Sequence, residues 1–173
     1  MSLQSVREHF KKFNRDHDIL EYEQISATVE QAANALNVLP AKIAKTLSFK
    51  NKEGEAFLVV TAGDAKIDNK KFREQFDIKA KMLNAEEVVE QTGHVVGGVC
   101  PFGLAKNLNV YLDISMKRFT TVFPACGSVN SAIELTCDEL EQYSSAVQWV
   151  DVSKDWDKNL IELNSSKDNK VIN

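Results

Sequence analysis

The 173-residue chain has little of what builds a stapled, metal-bound or membrane-spanning protein. Its three cysteines, Cys100, Cys126 and Cys137, are too few and too scattered for a disulfide scaffold. His9, His17 and His94 lie far apart and no C-x-x-C or His–Cys cluster has ligand spacing, so neither a metal nor another cofactor is expected. No apolar run reaches bilayer length and the N-terminus shows no signal-peptide core, which points to a reduced, cytoplasmic protein. Also missing are G-x-x-x-x-G-K-[ST], G-x-S-x-G, H-E-x-x-H, and G-x-G-x-x-G after a strand, so the common nucleotide, serine-hydrolase and zinc-protease readings have no support. Charge of either sign is not in large excess: 21 Lys and Arg against 25 Asp and Glu give a net −4. That balance argues against a stand-alone, tight nucleic-acid binder, because phosphate neutralisation supplies most non-specific affinity. A local basic face is still present in Lys66, Lys70, Lys71, Arg73, Lys79 and Lys81.

What is there reads as one mixed α/β domain with about seven short strands and helices around them. Val6, Phe10 and Phe13 recur at helical spacing over 3–14. Ser26 or Thr28 can cap a helix over 29–36, and Pro40 opens a further helical turn running through Ile43 to Lys45. Asp68 and Asn84 can cap helices through Phe76 and over 85–91, the latter closed by Gly93, and 138–143 is a short helix. Strands are expected at 19–23, 46–50, 56–62, 79–83, 108–113, 119–124, 131–135 and 147–152. The domain is expected to span 1–152, and 153–173 to form a polar, partly mobile tail.

The densest punctuation lies in His94-Val95-Val96-Gly97-Gly98-Val99-Cys100-Pro101-Phe102-Gly103, where three glycines and a proline fall within ten positions. Glycine admits positive φ and close approach, and proline fixes φ while removing a donor. Such a loop is either a tight structural turn or a set of exposed N–H groups able to hold a carbonyl or phosphate oxygen. Cys100, six residues from His94, is the tempting nucleophile, against the plainer reading of a small packed residue. Lys45 precedes Thr46-Leu47-Ser48-Phe49, where its ammonium either snorkels to solvent, meets a helix C-terminus, or reaches an anion or carbonyl at the strand edge. Thr61-Ala62-Gly63-Asp64 and Gly127-Ser128-Val129-Asn130-Ser131 are small-residue turns that could equally meet a ligand.

Together these pieces resemble the YbaK / prolyl-tRNA synthetase-associated editing domain family over roughly residues 3–152. The resemblance rests on Ile43-Ala44-Lys45-Thr46-Leu47, Val60-Thr61-Ala62-Gly63-Asp64, the loop from Thr92 to Gly103, and the stretch from Gly127 to Leu135, in that order. It implies a barrel-like, mostly antiparallel mixed β-sheet surrounded by helices. It also implies hydrolysis, in trans, of the ester of a mischarged tRNA, most specifically tRNA(Pro) carrying Ala, Cys, Ser or Thr. Its implied partners are the aminoacylated 3′ end and prolyl-tRNA synthetase, with no DNA, no membrane and no cofactor. By the same resemblance Lys45, Gly97, Gly98 and Pro101 are catalytic. Thr46, Thr61, Asp64, Val99, Cys100, Gly127, Ser128 and Asn130 are substrate-binding. Ala125 aligns where cysteine-selective relatives carry serine, so the amino acid cleared is left open. Two other readings compete: a non-catalytic binder of aminoacyl or nucleotide ligands, and a cysteine hydrolase using Cys100.

Overall fold

The computed structural model describes residues 2–156. The helices are α1 (Ser2–Lys11), α2 (Val29–Leu36), α3 (Asn69–Phe76), α4 (Ala85–Thr92) and α5 (Cys137–Ser144). The first five strands are β1 (Leu20–Glu21), β2 (Ile43–Lys50), β3 (Ala56–Ala62), β4 (Lys66–Ile67) and β5 (Asn109–Asp113). They are followed by β6 (Thr121–Pro124), β7 (Ser131–Ala132), β8 (Leu135–Thr136), β9 (Gln148–Val150) and β10 (Ser153–Lys154). Six strands form a curled, half-barrel mixed sheet in the order β8-β6-β2-β3-β5-β9. The pairs β1–β7 and β10–β4 stand as separate antiparallel ribbons.

At the centre, β2 and β3 run antiparallel from Ala44↔Ala62 to Lys50↔Ala56. All seven residues of β3 are buried, with Leu58, Val59 and Val60 fully so. Each such side chain contributes roughly 1.5–3 kcal/mol on leaving water. The sheet is covered on both faces, so β3 reads as a continuous apolar run rather than an alternating one. One face packs Ala44, Leu58, Val60 and Leu112 against Phe10 of α1 and Leu140 of α5. The other packs Phe49, Phe57 and Val59 against Phe72 of α3. A smaller cluster joins Ile43 and Phe123 to Ala33 of α2.

The caps explain where the helices start. Thr28, Asn84 and Thr136 each form a capping box, and Asp68 caps α3 through Lys71 N–H. Four expectations from the sequence are corrected. The helical turn from Pro40 ends at Lys42 and β2 begins at Ile43, so Lys45 sits inside a strand. Pairing of Ile43 and Ala44 with Phe123 and Pro124 of β6 pulls that segment into the sheet. Residues 79–83 are not a strand: they meet β2 as an isolated bridge, Phe49↔Met82, flanked by the Lys50 N–H to Lys81 O and Leu83 N–H to Ser48 O bonds. Residues 131–135 split, because β7 pairs with β1 while β8 pairs with β6. Helix α1 stops at Lys11, before a turn in which Asn14 has φ +57°.

Beyond residue 152 the chain continues into β10, held by Asp113. This buried carboxylate accepts from Val152 N–H (2.9 Å), Ser115 N–H (3.0 Å) and Ser153 Oγ (2.5 Å). The rest of the polar tail, from residue 157, lies outside the described residues.

Candidate functional site

β2 borders a cavity of about 440 Å³ and contributes residues from both of its faces. The walls are largely apolar: Val29, Ala32 and Leu36 of α2, Leu83 and Val88 around α4, and Phe123 of β6.

Lys45 enters this cavity from mid-strand, opposite Thr61 in the register with β3. Its ammonium donates to the Ala65 carbonyl. An ammonium has three donors, so others are left for a ligand. Burial pulls the Lys45 pKa below that of an ordinary lysine; Asp64 and Glu30 work against that shift and Lys66 adds to it. Asp64 is itself held by Arg118 in a two-pronged pair, at 3.0 Å from Nη1 and 2.6 Å from Nη2. The Arg118 side chain is only 4% exposed and lies over the Phe119 and Trp156 rings. Fork-to-carboxylate pairing of this kind fixes geometry, and here it fixes a negative charge beside Lys45.

The 94–103 loop reaches the cavity through Val96, Gly97 and Val99. Gly97 has φ +95°, a conformation open mainly to glycine. Gly98 N–H donates to Val95 O and its carbonyl accepts from Gly127 N–H, both at 2.9 Å. The N–H groups of Gly97 and Val99 meet no acceptor among the described residues, so they are main-chain donors at the cavity wall. The neighbouring 127–131 loop is tied down by its own polar groups. Ser128 Oγ bonds Ser131 Oγ (2.6 Å) and Asn130 Oδ1 (3.1 Å), while Asn130 Nδ2 donates to Tyr22 O (3.0 Å).

Of the residues singled out from the sequence, Lys45, Thr46, Gly97 and Val99 meet at the cavity. Gly98 and Pro101 are buried and do not line it; Pro101 borders a second cavity with His9 and Gly103. Thr61, Asp64, Gly127, Ser128 and Asn130 lie outside its wall, and the second loop contributes Ser131 and Ala132 instead. The apolar wall on α2 went unnamed as a site. Val29, Ala32 and Leu36 repeat at helical spacing, but such a stripe looks the same whether it covers core or lines a cavity.

Cys100 is the small packed residue of the plainer reading, fully buried in the main core, which corrects its readings as a nucleophile and as a substrate-binding residue. Its Sγ lies 3.6 Å from His94 Nε2, but that nitrogen is 2.7 Å from the Phe102 carbonyl and must carry the proton to bond there. His94 therefore offers Cys100 no base at Nε2. Burial pushes the thiol up to about 12 and the imidazole down, opposite to what a thiolate–imidazolium pair requires. Iodoacetamide at neutral pH should leave Cys100 unlabelled in the native protein and label it fully after unfolding, read by mass spectrometry. Labelling in the native state at the rate of a free thiol would contradict this burial.

Comparison with known proteins gives a consistent picture. Residues 23–143 match the model of the aminoacyl-tRNA editing domain. The chain is 60% identical over 157 residues to the uncharacterised protein YwhH of Bacillus subtilis, covering 91% of this chain and 100% of that one. It is 26% identical over 136 residues to EbsC of Enterococcus faecalis, provisionally named a Cys-tRNA(Pro)/Cys-tRNA(Cys) deacylase, covering 78% and 81%. A crystal structure described as a proposed trans-editing enzyme for prolyl-tRNA synthetase superposes with a TM-score of 0.80 at 27% identity, covering 88% of this chain and 97% of that one.

Proposed function

Because the chain belongs to the aminoacyl-tRNA editing domain family, we propose that it is a trans-acting deacylase clearing mischarged tRNA, most specifically tRNA(Pro) bearing a small non-cognate amino acid. The observation that carries this reading is the meeting, at one apolar cavity, of the Lys45 ammonium with the unpaired N–H groups of Gly97 and Val99. These are the groups that ester hydrolysis at a nucleotide end needs, a cation for the anionic or polar end and neutral donors for a developing oxyanion.

In this reading water adds to the ester carbonyl, and the charge on the tetrahedral oxygen is taken by the N–H groups of the 97–101 loop. The carbon–oxygen bond to the ribose then breaks, the ribose oxygen leaves with the proton from water, and a free amino acid is released. Lys45 holds the terminal nucleotide in place and forms no bond to carbon. Substrate groups carry the water proton, since neither the Cys100–His94 contact nor the Asp64–Arg118 pair presents a free base to the cavity. A net charge of −4 fits weak contact with tRNA in the cytoplasm, with prolyl-tRNA synthetase concentrating the substrate.

The test is deacylation of tRNA(Pro) charged with Ala, Cys, Ser, Thr or, as control, Pro. Clearance of one or two of the non-cognate esters with prolyl-tRNA(Pro) spared is expected. Clearance of none, there or on other mischarged tRNAs, would overturn the enzymatic reading.

A further inference from the structure

Strand β2 contains a gap in its hydrogen-bond ladder that opens on the cavity. Lys50 N–H donates to Lys81 O (2.9 Å) and the Ser48 carbonyl accepts from Leu83 N–H (3.1 Å), so both residues direct their main-chain groups away from β3. Main-chain groups two residues apart in a strand point to the same side. Thr46 therefore presents its N–H and C=O to that side as well. At the other end, the last residue of β2 paired with β6 is Ala44, opposite Pro124. Between Ala44 and Ser48, no described residue completes the ladder at Thr46. The cavity is lined by Lys45 and Leu47 from one face of β2 and by Thr46 and Ser48 from the other, as an exposed strand edge requires.

We propose that this gap is the subsite for the aminoacyl group, which pairs with Thr46 as a single-residue β-bridge. The substrate's α-ammonium donates to the Thr46 carbonyl, and its ester carbonyl accepts from Thr46 N–H. An amino-acid ester carries a donor and an acceptor on either side of one Cα, as a strand residue does, and a hydrogen-bonded antiparallel pair exchanges both bonds. The inference rests on the deacylase reading and deepens it. Recognition by main chain reads the α-aminoacyl unit common to all candidate substrates and leaves selection of the side chain to the apolar walls. It also sets the reacting carbonyl at the cavity wall shared with Gly97 and Val99.

The test uses binding rather than turnover. The probe is 3′-alanylamido-3′-deoxyadenosine, which keeps the α-ammonium and carbonyl but is not an ester. The control is its 3′-propionylamido counterpart, which lacks the amino group. With the full-length protein, the alanyl probe should move the Thr46 amide proton downfield and slow its exchange. The propionyl control should bind about tenfold to a hundredfold more weakly, as expected for losing a hydrogen bond from a charged donor. Replacing Thr46 by its α-hydroxy acid, which exchanges that one N–H for an ester oxygen, should weaken the alanyl probe roughly tenfold. Equal affinity for the two probes, an unmoved Thr46 amide at saturation, or no binding of either probe at millimolar concentration would overturn the proposal. A protein that binds the alanyl probe in this way yet clears no mischarged tRNA would instead overturn the deacylase reading.

Discussion

Lys45→Met should lose at least about a hundredfold in deacylation while keeping its fold, the scale expected when a group that holds the substrate in its reacting position is removed. The substitution keeps most of the side chain's length and apolar stem but deletes the only ammonium that lines the cavity among the described residues. Inside the protein it removes one bond, to the Ala65 carbonyl in a turn, so thermal unfolding should move little. A pH profile adds a readout that a structural role would not produce. Burial pulls the Lys45 pKa below 10.5, so its proton leaves at lower pH than that of an exposed lysine. Activity that needs the charge should therefore fall on the alkaline side, at a pH below 10.5. The linked stability term has the opposite sign. Holding a half-buried ammonium costs stability below the folded pKa, and that cost falls as pH rises from the folded pKa to the unfolded value of 10.5, above which it is gone. Lys45→Arg keeps its charge to higher pH, so whatever activity it retains should lack this alkaline limb. Wild-type turnover in Lys45→Met would remove Lys45 from the mechanism.

Much of this arrangement was legible in the chain. Capping residues placed α2, α3 and α4, and the β-rich run over 56–62 coincides with β3. The reading failed where pairing partners decide the outcome. Ile43-Ala44-Lys45 looks like the end of an apolar helix until β6 pairs with its first two residues, which makes Lys45 a strand residue. The two-residue strands β4 and β10 have no periodicity to read, because each is too short to repeat, whereas β1 and β7 fall inside the longer strands expected at 19–23 and 131–135. At the site, Lys45, Gly97 and the loop around them stand out through composition alone. Asp64 and Asn130 stood out for the same reason, yet their polar groups are engaged by Arg118 and Tyr22. Sequence shows which residues can bond; it does not show which are already bonded. The open edge at Thr46 is a property of neighbours that are missing from a ladder, and no local pattern encodes it.

Gly98→Ala is expected to cost about 1–3 kcal/mol of stability, the range for forcing an extra methyl into a packed site, and to reduce deacylation more than tenfold (order of magnitude) by shifting the loop. Gly98 does not need positive φ; what it needs is room. A Cβ there would stand 2.7 Å from Gly127 C and Ser128 N and 2.9 Å from Ser128 C. All three atoms are backbone, so no side chain can rotate out of the way. Relief must come from separating the 97–101 loop from the 127–131 loop, which also stretches the 2.9 Å bond from Gly127 N–H to the Gly98 carbonyl. The next residue on each side, Gly97 and Val99, lines the cavity and carries an N–H with no acceptor among the described residues, so these donors move with the loop. Gly54→Ala supplies the contrast. Gly54 has φ +82° and nothing lies within 4 Å of where its Cβ would stand, so the substitution should cost roughly 1–2 kcal/mol of backbone strain and no activity. Urea unfolding and deacylation of the same preparations separate the two effects. Gly98→Ala with wild-type deacylation would mean that the loop's main-chain donors do not act on the ester.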